Sequence, residues 1–169
     1  MIKGLIHKYK IYRNRIKRVE TNVGKIVKKN QNVLLSLNRD QMLLGRNASG
    51  EVLTPDYLSD PYFDSQAEAM AYANMKYALE SEHNARITNP TIYPNKGKDT
   101  PNLIVTGPFQ DNMFIEAKND SFTIGSTYVD APDIEAKYNN LVFGIAPASA
   151  MYFYENYIRP ELMKKLWAK

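Results

Sequence analysis

The first 30 residues carry a hydrophobic pattern that repeats every seven positions. Apolar side chains recur at alternating steps of three and four, and most residues between them are polar or basic. The members of this stripe, which we call the seam, are Ile2, Leu5, Tyr9, Tyr12, Ile16, Val19, Val23 and Ile26. This is the spacing of the a and d positions of a coiled coil. It predicts a helix over residues 3–29 whose narrow apolar face packs on a neighbouring subunit, on another protein or on the body of the same chain.

Shorter elements are predicted after this helix. The polar run Asn30-Gln31-Asn32 ends it, and the apolar run at residues 33–37 predicts a short buried strand. Asn38 is then expected to cap a short helix through Leu44, with Asp40 in its first turn. Residues 45–51 are rich in turn formers, and residues 52–63, which contain two prolines, predict an extended connection.

The clearest local signal starts at Ser65. Ser65 and Glu68 have the spacing of a capping box, and an Ala/Met-rich stretch follows as far as Glu82, so a helix is predicted here. Four of its residues form a small-residue face suited to close packing. They are Ala67, Met70, Ala71 and Ala78. Residues 84–101 form a long proline-rich loop, which we expect to contact a neighbour or to be flexible.

The second half of the chain predicts a sheet followed by two helices. Alternating apolar residues predict three antiparallel strands at residues 103–105, 113–117 and 121–124. Pro132 favours the start of a short helix that ends near Phe143, and Pro147 opens a final helix that Pro160 kinks or divides. The aromatic face of that last helix is expected to dock on the sheet or at a subunit boundary. Its residues are Tyr152, Phe153, Tyr157 and Trp167.

These elements predict an α+β protein, with flanking helices on an antiparallel sheet, a long basic N-terminal helix and a C-terminal helix. We call residues 1–30 the arm and residues 31–169, a single domain, the body. The arm holds ten basic residues and one acidic residue, a net charge of +9. The body holds 12 basic and 17 acidic residues, a net charge of −5. Such an arm suits nucleic acid, an acidic membrane surface or an acidic protein surface.

The basic face of the arm contains nine residues. They are Lys8, Lys10, Arg13, Arg15, Lys17, Arg18, Lys25, Lys28 and Lys29. In a homo-oligomer, acidic residues of the second half of the body could receive a neighbour's arm. They are Asp99, Asp111, Glu116, Asp120, Asp130, Asp133 and Glu135. No apolar run approaches the roughly 18–20 residues that span a bilayer, so we expect no membrane partner.

Candidate chemistry in the sequence is sparse. There is no cysteine, and the only histidines are His7 and His83, which we interpret as a helix-surface residue and a helix-end residue. A metal pair of Glu80 and His83 is a minor alternative, because no second pair accompanies it. The motifs HExxH, GxSxG and GxxxxGK[ST] are missing from the sequence. We therefore expect no catalysis and no cofactor.

One enzymatic alternative uses carboxylates. Asp60 and Asp64 have the spacing of two acids on one face, although loop and helix-cap charges explain them more simply. A small hydrolase would require Asp60, Asp64 and Glu68 to face a common cleft.

Several short motifs between residues 37 and 146 resemble a known family. The motifs are Leu37-Asn38-x-Asp40-Gln41-x-x-Leu44-Gly45, Asn47-x-Ser49-Gly50-x-x-Leu53 with Tyr57, Asn102-Leu103-Ile104-Val105-Thr106-Gly107-Pro108-Phe109, and Tyr138-Asn139-Asn140-Leu141-Val142-Phe143-Gly144-Ile145. Together they resemble structural proteins at the head–tail junction of tailed phages, of the tail-completion or minor tail type. The overall character is closest to the ring proteins in the tails of crAss-like phages.

The resemblance implies a small α+β subunit that repeats around an axis, often six-fold or twelve-fold, and performs no catalysis. Its partners would be copies of itself and neighbouring portal or tail proteins, and DNA would pass through the ring. It places the protein in the virion after synthesis in the host cytoplasm, and it makes Gly45, Gly50 and Gly107 turn residues rather than ligand sites. The alternative is a DNA-binding accessory protein whose basic arm contacts duplex phosphates.

Overall fold

A computed structural model describes residues 9–10, 13–14, 22–89, 91–94, 96–118 and 121–167. These residues form an α+β fold in which helices flank a two-stranded antiparallel sheet. The helices are α1 (Gln31–Leu43), α2 (Gln66–Ala78), α3 (Glu80–Asn84), α4 (Pro108–Asp111), α5 (Ala131–Lys137), α6 (Pro147–Phe153) and α7 (Arg159–Trp167), and the strands are β1 (Met113–Ala117) and β2 (Phe122–Ser126).

The described residues of the arm are mostly helical. Residues 9–10, 13–14 and 22–29 adopt helical conformation, and the other residues of the predicted helix lie outside the described part of the chain. Asn30 forms a turn, and its side-chain amide donates a hydrogen bond to the carbonyl of Ile26 at 2.9 Å. The polar run at residues 30–32 therefore interrupts the helix for one residue only, because α1 begins immediately at Gln31.

The strand predicted at residues 33–37 is wrong, because these residues belong to α1. A short apolar run does not distinguish a buried strand from a buried helix. The stripe that α1 buries follows helical spacing, at Leu34, Leu37, Asn38 and Gln41. Two of these positions are polar, so the pattern of hydrophobic residues alone does not show the helical period.

Asn38 is also not a helix cap, because it lies in the middle of α1. Its side-chain amide donates a hydrogen bond to the carbonyl of Val142 at 3.2 Å. Gln41 donates to the carbonyl of Gly144 at 2.7 Å and accepts from the amide of Ala146 at 3.1 Å. The two buried side chains therefore fasten residues 142–146 to α1.

Asp40 is buried in α1 rather than placed in a first helical turn. Its two carboxylate oxygens accept hydrogen bonds from the backbone amides of Thr88 and Asn89, both at 2.9 Å. The hydroxyl of Thr88 and the side-chain amide of Asn89 donate to the same carboxylate at 3.0 Å. This carboxylate ties the long loop at residues 84–101 to α1.

The three glycines expected to be turn residues adopt positive φ angles. Gly45, Gly50 and Gly107 have φ angles of 67°, 85° and 105°. At Gly45 a Cβ atom would lie 2.3 Å from Cγ2 of Thr100 and 2.9 Å from the carbonyl oxygen of Pro101. Only glycine fits there, because the backbone is left-handed and the long loop approaches closely.

The capping box that precedes α2 is confirmed. Oγ of Ser65 accepts a hydrogen bond from the amide of Glu68 at 3.2 Å, and the carboxylate of Glu68 accepts from the amide of Asp64 at 3.3 Å. The predicted single helix to Glu82 is divided, since α2 ends at Ala78 and α3 follows from Glu80.

The sheet has two of the three predicted strands. β1 and β2 pair from Met113 with Ser126 to Ala117 with Phe122. The strand predicted at residues 103–105 is wrong: these residues form a loop in which Leu103 has a φ of 49°. The buried side chain of Asn102 accepts a hydrogen bond from the amide of Ile104 at 3.4 Å, so a side chain takes the place of a strand partner.

The last two predicted helices begin where proline favours a helix start. α5 contains Pro132 near its N-terminus but ends at Lys137, earlier than expected. α6 begins at Pro147, and a π-helical turn at Tyr154–Ile158 joins it to α7. Pro160 is the second residue of α7 and has no N–H to donate, so the helix changes its hydrogen-bond pattern at this point.

Three clusters of buried apolar residues form the core of the described chain. The largest contains Met42, Leu53, Phe109, Met113, Ile124, Ala131, Tyr138 and Val142. The second contains Val27, Leu34, Leu37 and Phe153, with Tyr152, Tyr157, Ile115 and Phe122 packed against it. The third contains Leu44, Tyr93 and Ala146. Tyr152, Phe153 and Tyr157 therefore dock beside the sheet, as predicted for the aromatic face. The side chain of Trp167 lies outside the described part of the chain.

Candidate functional site

The seam is described at three of its eight positions. Ile26 is buried, with 3% of its surface exposed, and Val23 packs against the cluster that contains Val27. Tyr9 is 66% exposed. The end of the seam nearest the body therefore packs within the chain. Ile2, Leu5, Tyr12, Ile16 and Val19 lie outside the described residues.

The basic face is described at five positions, and all five are exposed. They are Lys10, Arg13, Lys25, Lys28 and Lys29. Lys29 approaches Glu161 at 3.7 Å, and its side chain is 70% exposed, so this surface pair contributes little stability. Lys8, Arg15, Lys17 and Arg18 lie outside the described residues. Between residues 22 and 29 the helix thus turns its apolar face to the core and its lysines to solvent.

The helix α2 exposes a face that carries no charged residue of its own. At its C-terminal end the ammonium of Lys98 lies 4.9 Å from the centroid of the Tyr77 ring. Its buried positions, Ala69, Ala73 and Lys76, lie on one side. The exposed positions on the opposite side recur at helical spacing. They are Ala67, Met70, Ala71, Asn74, Tyr77 and Ala78. We call these six residues the outer face of α2. Met70 is 49% exposed and Tyr77 is 56% exposed, although burial in the chain is usual for large apolar residues.

The residues predicted to form a small-residue face therefore do so on the outside of the fold. Ala67, Met70, Ala71 and Ala78 all belong to the outer face of α2. Small side chains let the backbone of a second helix approach closely. A contiguous apolar surface of this kind typically marks an interaction site.

Acidic residues are concentrated in the segment of the sequence that contains α2. Residues 51–82 hold one basic and seven acidic residues, a net charge of −6. The acidic residues are Glu51, Asp56, Asp60, Asp64, Glu68, Glu80 and Glu82. Asp60 pairs with Lys137, and Glu80 pairs with Lys96 at 2.9 Å. In the part of the chain that the structure describes, Asp64, Glu68 and Glu82 are exposed and form no ion pair.

The described acidic residues predicted to receive an arm in the second half are dispersed over loops, α4, β1 and α5. Asp111 already pairs with Arg86 at 2.8 Å, and Asp120 lies outside the described residues. Residues 51–82 are therefore the more concentrated acidic segment of the sequence.

The three carboxylates of the enzymatic alternative do not share a cleft. Asp60 is buried and lines a cavity, whereas Asp64 and Glu68 are exposed at the N-terminal cap of α2 and do not line it. The geometry that a two-carboxylate hydrolase requires at these residues is not present.

His83 is a buried structural residue rather than a helix-end charge. Its Nδ1 accepts a hydrogen bond from the side-chain amide of Asn102 at 3.0 Å, and its Nε2 lies 3.3 Å from the carbonyl of Val105. These partners assign the proton to Nε2, and burial lowers the pKa of the imidazole. Both ring nitrogens are occupied in a neutral ring, so His83 does not pair with Glu80 as a metal ligand. His7 lies outside the described residues.

Asn102 connects this histidine to a tyrosine. The hydroxyl of Tyr57 lies 3.3 Å from the side-chain oxygen of Asn102, and it accepts a hydrogen bond from the backbone amide of Asn102 at 3.2 Å. The network fixes the loop at residues 101–105 against α3. That loop is also one wall of the cavity described next.

A cavity of about 350 Å³ lies between α2, α5 and the loop at residues 101–105. Five aromatic rings line it, those of Tyr57, Tyr62, Phe63, Tyr72 and Tyr138. Its charged lining residues are Asp60, Lys76 and Lys137. We call it the Lys76 cavity, because Lys76 is 3% exposed and has no hydrogen-bond or ion-pair partner among the described residues.

The electrostatic environment of Lys76 is unusual for a lysine. Burial and the nearby charge of Lys96 lower its pKa to about 8, against an opposing effect of Glu80. Glu80 is already paired with Lys96. One local pattern points to this site: Lys76 follows Ala69 and Ala73 at helical spacing, which places a lysine on the buried stripe of α2. The rest of the lining comes from distant segments that sequence alone does not bring together.

Two further findings concern the described part of the chain. None of its helices combines the length and the hydropathy needed to cross a bilayer. Its His, Asp and Glu residues form no group of three that could hold a metal ion.

Comparison with known protein families, curated proteins and solved structures gives no match to this chain.

Proposed function

We propose that this chain is a non-enzymatic structural protein of a phage virion. It forms or completes a ring at the junction of head and tail, and DNA passes through the ring. The proposal starts from the motifs at residues 37–146 that resemble head–tail junction proteins. The observation that supports it most directly is the outer face of α2, since a helix with an uncharged exposed face is suited to packing on another chain.

The arm of a neighbouring copy is the occupant that fits this face best. The part of the seam that precedes Val23 supplies a narrow apolar stripe, and the outer face of α2 supplies a second one with several alanines. Their surroundings have opposite charge, because the arm carries +9 and residues 51–82 carry −6. Complementary charge favours association and selects the register of packing.

An arm on one copy and a receiving helix on the next make a head-to-tail contact. The two surfaces differ, so each subunit offers one and receives the other. Heterologous contacts of this kind close into rings when the rotation per subunit divides a full turn. The exposed arm of one copy would thereby be covered by the next copy around the ring, and portal or tail proteins would contact the two faces of the ring.

The seam can be tested by replacing Ile16 and Val19 with aspartate together. Two carboxylates in a helix–helix contact are costly to desolvate, so we expect the double variant to remain folded and to lose self-association. Light scattering coupled to size-exclusion chromatography measures the mass, and circular dichroism measures the fold.

The matched control places aspartate on the opposite side of the same heptads. Asn14 lies five positions after Tyr9, and Thr21 lies five positions after Ile16, which places both on the side of the helix opposite the seam. Replacing both adds the same charge, and we expect self-association to persist. Global unfolding of the Ile16/Val19 variant, or assembly indistinguishable from the wild type, would contradict this role of the seam.

Direct DNA binding by the arm is the alternative function. The five described residues of the basic face are all exposed, which leaves their charges available to phosphates. This alternative predicts binding to duplex DNA whose affinity falls steeply as salt increases, because bound cations are released. The measurement is a fluorescence-anisotropy titration over a range of salt concentrations. If no duplex binding is detected at low salt, the arm does not contact DNA by itself.

A further inference from the structure

The Lys76 cavity holds one positive charge that the described chain does not neutralise. Lys137 is paired with Asp60, and Lys96 is paired with Glu80, so each of these charges has a partner. The ammonium of Lys76 has none among the described residues. An unpaired buried charge is costly, and a strongly perturbed group in a cavity is a candidate ligand contact.

The tyrosines of the cavity do not add negative charge. Burial raises the pKa of Tyr57 and of Tyr138, so both hydroxyls stay protonated and neutral at physiological pH. The pKa of Tyr72 is also raised, mainly by burial and to a lesser extent by the charge of Asp60. Asp60 and Lys137 neutralise each other, so among the described lining residues Lys76 carries the one unpaired charge, which suits a ligand with one negative charge.

The walls of the cavity select a flat apolar body for that ligand. The rings of Tyr57 and Tyr72 meet edge to face with centroids 5.3 Å apart, and the centroids of Phe63 and Tyr72 are 5.2 Å apart. Aromatic rings prefer these edge and offset contacts with another ring. A volume of about 350 Å³ is near the lower end for ligand pockets, so the ligand is small.

We propose that the Lys76 cavity binds a small aromatic monocarboxylate. The carboxylate pairs with the Lys76 ammonium, and the ring lies among the aromatic side chains of Tyr57, Phe63 and Tyr72. Tyr62 is 79% exposed and marks the open side of the cavity, so a ligand can enter from solvent. A dianion would leave one charge without a partner, and an uncharged ring would leave Lys76 unpaired.

Calorimetric titration of the full chain with benzoate near pH 6 tests the proposal, with benzamide as the uncharged analogue. We expect benzoate to bind, and benzamide to bind at least about tenfold more weakly, because it cannot pair with the ammonium. Replacing Lys76 with methionine should weaken benzoate binding by at least about tenfold as well. The control is Lys118→Met, an exposed lysine outside the cavity, which should leave benzoate affinity unchanged.

The pH dependence provides an independent readout. Lys76 pairs with a carboxylate only in its charged form, which predominates below a pKa of about 8. Benzoate affinity should therefore be constant in mildly acidic solution and should decrease by about tenfold per pH unit well above this pKa. The charged groups that act on the ammonium are Lys96 and Glu80, which pair with each other at 2.9 Å, and His83 also interacts with it.

Lys76→Met removes a buried charge without shortening the side chain greatly, so it should fold with a thermal midpoint no lower than that of the wild type. Two results would overturn the proposal. One is a wild-type chain that shows no benzoate binding near pH 6. The other is a folded Lys76→Met variant that binds benzoate as the wild type does.

Discussion

Replacing Asp40 with alanine is expected to lower the free energy of unfolding by about 3–5 kcal/mol. The carboxylate accepts from two backbone amides, a hydroxyl and a side-chain amide, all of which come from Thr88 and Asn89. Asp40 is 2% exposed, so water cannot replace it without rearrangement of the loop. The alanine variant therefore leaves several donors unsatisfied and releases the long loop from α1. Urea denaturation followed by circular dichroism measures the loss.

The control is an aspartate whose partner lies at the surface. Asp111 pairs with Arg86 at 2.8 Å, and both side chains are substantially exposed. Its replacement by alanine should cost about 1 kcal/mol or less, because surface ion pairs are weak. Equal losses for Asp40→Ala and Asp111→Ala would contradict the structural role assigned to the buried carboxylate.

The second large effect concerns assembly rather than stability. Replacing Ala71 and Ala78 with lysine is expected to weaken self-association by roughly a hundredfold or more. Both residues lie on the outer face of α2, where lysine prevents close helix approach and repels the basic arm of a neighbour. Lysine is a good helix former, so the free energy of unfolding should change by only about 0.5 kcal/mol.

Two other exposed alanines provide the matched control. Ala136 in α5 and Ala150 in α6 are exposed helical positions outside the outer face of α2. Lysine at both adds the same charge to the same chain, and we expect assembly to persist. Sedimentation velocity of the two double variants distinguishes them. If the α2 variant assembles as well as the control, its outer face is not the subunit contact.

Helices that begin with an N-cap serine or with a proline in the first turn were predictable from the sequence. Ser65 and Glu68 form the expected cap, and Pro132 and Pro147 lie at the starts of α5 and α6. In each case the signal and its structural effect are separated by only a few residues. Such local preferences survive folding, because the tertiary structure does not oppose them.

Elements that depend on distant contacts were not predictable in the same way. The amide of Asn38 bonds to the carbonyl of Val142, 104 residues away, and this contact makes a polar residue part of the buried stripe of α1. The loop at residues 103–105 reads as a strand by hydrophobicity, but the side chain of Asn102 and a positive φ at Leu103 determine its path.

The candidate sites divide along the same line. The alanine-rich face of α2 follows from helical periodicity. Its exposure is known only from the fold, and it makes this face available for close packing with another chain. The Lys76 cavity does not follow from the sequence, because its lining extends from Tyr57 to Tyr138. No local motif predicts that aromatic side chains from such distant segments share one cavity.

The native mass of the purified full-length chain, determined by mass spectrometry over a range of protein concentrations, tests the proposal of a ring-forming subunit most directly. If arms pack on the outer faces of neighbouring subunits, the spectrum should show one closed assembly of several copies, and negative-stain images of the same sample should show rings. A chain that stays monomeric at the highest attainable concentration, with or without an added portal ring, would contradict self-assembly through these surfaces.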